Sequence, residues 1–355
     1  MRRMIVLFML LISALPASAQ STTIAHRLPV PLAGPQSTLS PDGVTLAVFE
    51  NPVVVQNAVT LLNAPIYLVD VVQGELVGML GGVQSDLASD VAFSPDGASL
   101  ASIHTNGQLI IWDIASRTAL ADYDWLPIGG SRVDFMPDGK TLILLYNTGA
   151  FGQQMFFDLE TGSITNILSI MPDTYLEFLD TSSDMAVRGS RSFAAQAILP
   201  TGEIVAATQN GEVLIWNTAL RTPITIQPPA EEGPMRFNVR RLQVMNDGAI
   251  FFYDSDAELA VLLTADRQRV EYSFGAYASA LSEDGRLAYY DREAEQFFVA
   301  DLTQDSPEPQ PIQLDLGDLD ANPQISLSFA ANGHLVISGF LNLDSENTIL
   351  VVDLG

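Results

Sequence analysis

The sequence predicts an all-β chain: a seven-bladed β-propeller of four-stranded antiparallel blades, its ring closed by the N-terminal strand. Three observations predict it. A four-residue turn ending in Gly recurs seven times. A short apolar strand closed by a polar residue follows each turn at a nearly fixed distance. Helical periodicity is nearly lacking beyond the first residues. Four short strands per repeat of about 40–50 residues is the pattern of a propeller blade.

The first element stands apart from the repeats. Arg2 and Arg3 precede an apolar run of 12 residues, Met4 to Leu15. That run is too short to span a bilayer, which takes about 20 residues as a helix. Ala17-Ser18-Ala19 before Gln20 makes a small-residue cleavage site. Residues 1–19 are therefore read as a signal peptide and 20–355 as one propeller domain, periplasmic or secreted. No other apolar run approaches spanning length without charges or Gly/Pro breaks, so no membrane span is expected in the mature chain.

The turns come next. Ser40-Pro41-Asp42-Gly43, Ser94-Pro95-Asp96-Gly97 and Met136-Pro137-Asp138-Gly139 are the clearest copies. Leu199 to Gly202, Met245 to Gly248, Ser282 to Gly285 and Ala330 to Gly333 are weaker ones. Pro presets φ, Asp or Asn bonds back to the backbone, and Gly takes positive φ, so each reads as a hairpin turn. The copies are spaced by 54, 42, 63, 46, 37 and 48 residues.

After each turn comes the closed apolar strand: Ile66 to Asp70, Leu109 to Asp113, Met155 to Asp158, Val213 to Asn217, Leu259 to Thr264, Phe297 to Asp301 and Ile349 to Asp353. From turn Gly to closing residue the separations are 27, 16, 19, 15, 16, 16 and 20, so four of seven agree within one residue. A further strand follows in Arg117 to Tyr123, Ser163 to Ser169, Thr222 to Gln227, Arg269 to Phe274 and Pro311 to Leu316. The last unit stops after Asp353 without an outer strand, while Ile24 to Leu32 looks like a strand without a partner. Joining the two closes the ring and leaves no free edge at the seam. The long spacing before Gly202 is read as an inserted hairpin over Tyr175 to Gly189, the alternative being a remnant eighth blade.

Val91 to Leu120, VAFSPDGASLASIHTNGQLIIWDIASRTAL, resembles a WD-repeat, with Trp112-Asp113 as its Trp-Asp pair. Trp216-Asn217 is a degenerate copy. The resemblance implies seven blades around a channel, and protein–protein interaction more often than catalysis. It extends to related exported propellers, including the periplasmic propeller of the Tol system and lactonase-like propellers. No Gly-His dipeptide precedes the strands, so the His-containing hydrogen-bond tetrad of the best-conserved WD-repeats is not expected. Trp112 and Trp216 sit at equivalent positions and are expected to pack between blades.

Composition excludes several functions. Lys plus Arg number 16 against 42 Asp plus Glu, a formal net charge of -26. Such a polyanion repels phosphate backbones, so nucleic acid is not an expected partner. The lack of Cys removes disulfides, thiolate metal sites and cysteine nucleophiles. His26, His104 and His334 fall on different parts of the propeller, which argues against a His-based metal site. No nucleophile elbow or Walker-type loop occurs. Asp315, Asp318 and Asp320 share a loop and suit either a hard cation or plain solvation. The repeated Asp42, Asp96, Asp138, Asp247 and Asp284 are read as turn caps. No catalytic, cofactor or metal residue is assigned.

The long connections are expected on one face, the one shared by loops joining strands two to three and one blade to the next. They are Glu50 to Ala64, Asn147 to Gln154, Met171 to Ser192, Pro228 to Val239 and Phe340 to Asn347. Thr303 to Gln310 alone clearly lengthens the other face. Loops elaborated on one side of a repeat scaffold mark a binding face. Apolar residues gather there, including Val53, Leu61, Tyr175, Phe178 and Phe340. So do Arg188, Arg191, Arg236, Arg240 and Arg241, suited to gripping carboxylates or aromatic rings; the alternative is local pairing with Asp184, Glu231 and Glu232. The expected function is a non-enzymatic, monomeric scaffold binding another protein or peptide. The alternatives are a small-ligand-binding propeller and a metal-assisted lactonase-like hydrolase at the channel mouth, which convergent acidic residues from several blades would mark.

Overall fold

The computed structural model describes residues 22–30, 32, 35–50, 65–81, 87–127, 130–147, 152–170, 193–208, 212–216, 224–227, 239–254, 258–304, 306–314, 324–340 and 348–355. The chain enters with β1 (Thr23–Pro29). Blade 1 holds β2 (Pro35–Leu39), β3 (Thr45–Glu50), β4 (Ile66–Asp70) and β5 (Glu75–Leu80). Blade 2 holds β6 (Ala88–Phe93), β7 (Ser99–His104), β8 (Leu109–Asp113) and β9 (Thr118–Tyr123). Blade 3 holds β10 (Gly130–Phe135), β11 (Thr141–Asn147), β12 (Gly152–Asp158) and β13 (Ser163–Ile170). Blade 4 holds β14 (Phe193–Ile198), β15 (Ile204–Thr208), β16 (Val213–Trp216) and β17 (Ile224–Gln227). Blade 5 holds β18 (Val239–Val244), β19 (Ile250–Asp254), β20 (Leu259–Leu263) and β21 (Arg269–Tyr272). Blade 6 holds β22 (Ala276–Leu281), β23 (Arg286–Asp291), β24 (Gln296–Asp301) and β25 (Gln310–Ile312). Blade 7 joins β26 (Gln324–Phe329), β27 (Leu335–Phe340) and β28 (Thr348–Asp353) to β1. The protein is thus an all-β, seven-bladed propeller of four-stranded antiparallel blades, as the repeats predict.

The turns follow their chemistry. All seven repeat glycines have positive φ, from Gly139 at 65° to Gly248 and Gly285 at 86°. Each donates its N–H to the carbonyl three residues earlier, as Gly43 does to Ser40 at 2.8 Å. The acidic residues cap as expected: Asp96 accepts from Ser94 Oγ at 2.6 Å and from Ala98 N at 3.0 Å. The residue closing the third strand caps the next turn. Asp70 accepts from Val72 N and Gln73 N, and Asp113 from Ser116 N.

Second and third strands are buried on both faces; every residue of β15 and β16 is buried. That is why they read as unbroken apolar runs rather than alternating ones. Outer strands are exposed, as in β5 and β21. In the sequence β5 is hidden by Glu75 and Gly78, which interrupt its apolar run, and β25 is shorter than the predicted Pro311 to Leu316. The stretch from Tyr175 to Gly189 lies outside the described residues.

The core is distributed. Among the described residues the buried apolar side chains form seven clusters, one at each junction between neighbouring blades. Trp112 packs on Phe49, Ile66 and Leu68 of blade 1. Trp216 packs on Met136, Ile143 and Phe156 of blade 3. Both tryptophans therefore bridge to the preceding blade. Trp112 Nε1 donates to Ser102 Oγ at 2.8 Å, which stands 2.9 Å from His104 Nε2. A Trp–Ser–His chain thus forms despite the missing Gly-His dipeptide, because His104 reaches Ser102 from two residues along the same strand.

The seam is closed at three radii. At the rim, β1 pairs antiparallel with β28, from Thr23 opposite Asp353 to Pro29 opposite Thr348. Near the axis, Ser37 Oγ and Ser338 Oγ lie 2.6 Å apart. On the turn face, Ala331 N donates to Gly43 O at 3.0 Å. A Cβ at Gly43 would stand 2.5 Å from Ala331 N, so the close approach needs glycine.

Candidate functional site

First strands neighbour one another around the ring axis. β2, β6, β10, β14, β18 and β22 line a cavity of about 550 Å³ there, a size typical of small-ligand pockets. Its lining comes from the later half of each strand and from turn residues Pro41, Met245 and Glu283. The cavity therefore lies at the tight-turn end of the channel, away from the long connections.

Local backbone aims the polar side chains. Register shifts fall between Ala88 and Asp90, Gly130 and Arg132, Phe193 and Ala195, Arg240 and Gln243, and Ala276 and Ala278. Bulges re-aim the residues that follow them. The first strands of blades 2 to 5 so bring Asp90, Arg132, Asp134, Gln196 and Gln243 to the channel.

These groups tie blades together. Asp90 Oδ2 accepts from Val133 N at 3.0 Å, joining blade 2 to blade 3. Gln196 Nε2 donates to Asp134 Oδ2 at 2.7 Å, and Gln154 Nε2 donates to Gln196 Oε1 at 3.1 Å, joining blades 3 and 4. Gln243 Oε1 accepts from Leu281 N at 2.9 Å, joining blades 5 and 6. Burial, reinforced by the neighbouring Asp90 carboxylate, pushes the Asp134 carboxyl up to about 7, against the opposing pull of Gln196 and Arg132. Burial also raises Asp90, against Arg132 and two backbone N–H groups. Arg132 is exposed to the channel and makes neither a side-chain hydrogen bond nor an ion pair among the described residues. The cavity thus holds two carboxyls raised by burial and one guanidinium whose charge is set against both of them.

The residues singled out in the sequence are placed as follows. Arg188, Arg191, Arg236, Tyr175 and Phe178 lie outside the described residues. Arg240 and Arg241 belong to β18, the first strand of blade 5, with Arg240 opposite Tyr253. Phe340 ends β27, opposite Gln324. His26 is on the outer strand of blade 7, His104 ends β7, and His334 lies in the turn before β27, so the three are dispersed as expected. Asp315, Asp318 and Asp320 are outside the described residues. Among the described residues no group of three or more His, Asp or Glu is placed to hold a metal ion, and no helix is long and apolar enough to cross a membrane. Asp90, Arg132, Asp134, Gln196 and Gln243 escape sequence reading. Their one signal is position: Asp90 and Arg132 stand seven residues before the turn glycine, and Asp134 and Gln243 five.

No protein-family model matches the chain, and no curated protein matches it. Among solved structures it is similar to the β-propeller domain of Cps50 (Swd1) from Myceliophteria thermophila. The two share 13% identity with a TM-score of 0.66, over 94% of this chain and 99% of that one. At that identity the likeness shows the fold, and the architecture is that of a β-propeller.

Proposed function

We propose that the protein is an exported, non-enzymatic scaffold that presents its loop-rich face to another protein or peptide. One observation carries the reading. Antiparallel strand order sends the connections 51–65, 171–192, 228–238, 313–323 and 341–347 to one face, while all seven repeat turns stay tight on the other. Elaboration concentrated on one side of a repeat scaffold, with 302–309 the exception on the other, favours a binding face there. The Trp112–Ser102–His104 chain favours a WD-repeat-like origin. The opening segment ending at Ala19 favours export.

The test is capture of a partner by the tagged protein, followed by charge reversal. Arg188→Glu with Arg191→Glu weakens capture, while Lys140→Glu on the turn face leaves it intact. Equal capture by both variants, or loss with Lys140→Glu alone, overturns the assignment of the face. Mass measurement of the envelope form checks export separately; a mature chain starting at Gln20 is expected, and retention of residues 1–19 contradicts it.

A further inference from the structure

We propose that the turn-side cavity of the channel is a binding site for a short peptide with free ends, about two residues long. It is distinct from the loop-rich face, so either assignment can fail alone.

The lining states the chemistry. Arg132 offers a planar guanidinium exposed to the cavity, its charge set against Asp90 and Asp134, and this group is the one best suited to grip a carboxylate with two parallel hydrogen bonds. Asp134 and Asp90 offer carboxyl oxygens a short distance away on the same wall. Arg132 and Asp134 are two residues apart on one strand, so both project to the same side about 7 Å apart. An extended two-residue peptide spans about 7 Å. A ligand with only a negative group draws Arg132 away from the two acids, and one with only a positive group draws the acids away from Arg132. Burying either alone is unfavourable. A zwitterion satisfies both. The cavity of about 550 Å³ leaves room for side chains beyond the two charged ends. Thr38, Gln243 and the apolar Val91 and Leu242 supply the remaining wall.

The charged and titratable groups lining the cavity are Asp90, Arg132, Asp134 and Glu283. Of these, Asp134 is pushed up to about 7 by burial and by Asp90, so it carries a proton about half the time at neutrality. A ligand ammonium beside it favours the carboxylate, so binding expels a proton and strengthens as pH rises through about 7.

The experiment is calorimetry on the full chain with four probes: dialanine, N-acetyl-dialanine, dialanine amide and free alanine. Dialanine binds tightest. Each capped form loses about tenfold or more, the worth of one charge-assisted contact. Proton release accompanies dialanine binding near pH 6.5, read from buffers of different ionisation enthalpy. Arg132→Gln removes the preference for a free carboxylate, and Asp134→Asn removes the proton release. The probe series on the unmodified protein stands even if a variant fails to fold. No heat with dialanine at millimolar concentration, or equal affinity for the capped forms, overturns the proposal, as does binding that Arg132→Gln leaves unchanged.

Discussion

The two faces of the ring obey different constraints. On the turn face, seven tight turns use one backbone solution, a positive-φ glycine, and all but the turn ending at Gly202 add a side-chain cap. On the loop face, connections range from the three residues 273–275 to the long stretch 171–192. The difference teaches where the repeat is enforced. A hairpin between the two strands nearest the axis is set by its local turn residues, and at the seam the neighbouring turn also presses on it, Ala331 against Gly43. The loop face carries only the demand that strands be joined. Yet the turn face also holds the charged channel mouth, so uniform backbone there does not mean uniform chemistry.

The severest test removes the seam. Deleting residues 20–33 takes away β1 and leaves β28 with a bare edge, so a stable fold is not expected to form. A truncated form with an unchanged melting temperature breaks the picture of a closed ring. Next, Gly43→Ala and Gly97→Ala compare two turns of the same type. Both glycines have φ near 70°, but a Cβ at Gly43 meets Ala331 N at 2.5 Å while one at Gly97 meets nothing within 4 Å. We expect a loss of about 3 kcal/mol for the first and about 1 kcal/mol for the second by denaturant unfolding. Equal losses would show that crowding across the seam is unimportant. Nearer the loop face, Ser102→Ala strands the buried indole N–H of Trp112, and about 2 kcal/mol should be lost.

The pH dependence separates the channel from the turn caps. Asp134 has a folded value near 7, above the unfolded value of 3.8, so its ionisation opposes folding. That penalty is negligible at pH 4, grows toward pH 7 and is constant above. Asp134→Asn therefore raises stability at pH 8, and the gain shrinks as pH falls toward 4. The caps do the opposite. Hydrogen bonds from Ser94 and Ala98 hold Asp96 below its ordinary range, and Ser282 does the same for Asp284. Their contribution is present above the unfolded value and fades as pH drops through the folded one. Asp96→Asn thus costs a little at pH 7 and nothing in strong acid. Urea titrations across pH 3–8 read both trends, and a common direction for the two substitutions would contradict this division.

Much of the fold is legible because the turn is a local device. Pro, Asp and Gly at fixed positions encode φ directly, so the residues ending at Gly43, Gly97 and Gly139 mark blades without any knowledge of tertiary contacts. The third strands are legible for a related reason: burial on both sides leaves apolar runs, closed by a cap. β5 is not legible, since an exposed outer strand has little apolar pattern to show. The channel groups are hidden for another reason. Asp90 and Asp134 come from different blades, and their proximity exists only once the ring is formed. Arg240 and Arg241 illustrate the limit from the other side. They stand just beyond the loop that ends at Val239, and the backbone carries them into the first strand of blade 5, with Arg240 opposite Tyr253, a pairing that only the formed sheet shows.

The clasp between residues 23–29 and 348–353 has a kinetic consequence. Residues 23–29 must wait, unpaired, until residues 348–353 have been made. Loop-closure entropy across nearly the whole chain is settled in that one final zippering step. Whatever order the individual blades adopt beforehand, the ring stays an open arc with two unpaired strand edges until residues 348–353 have been made.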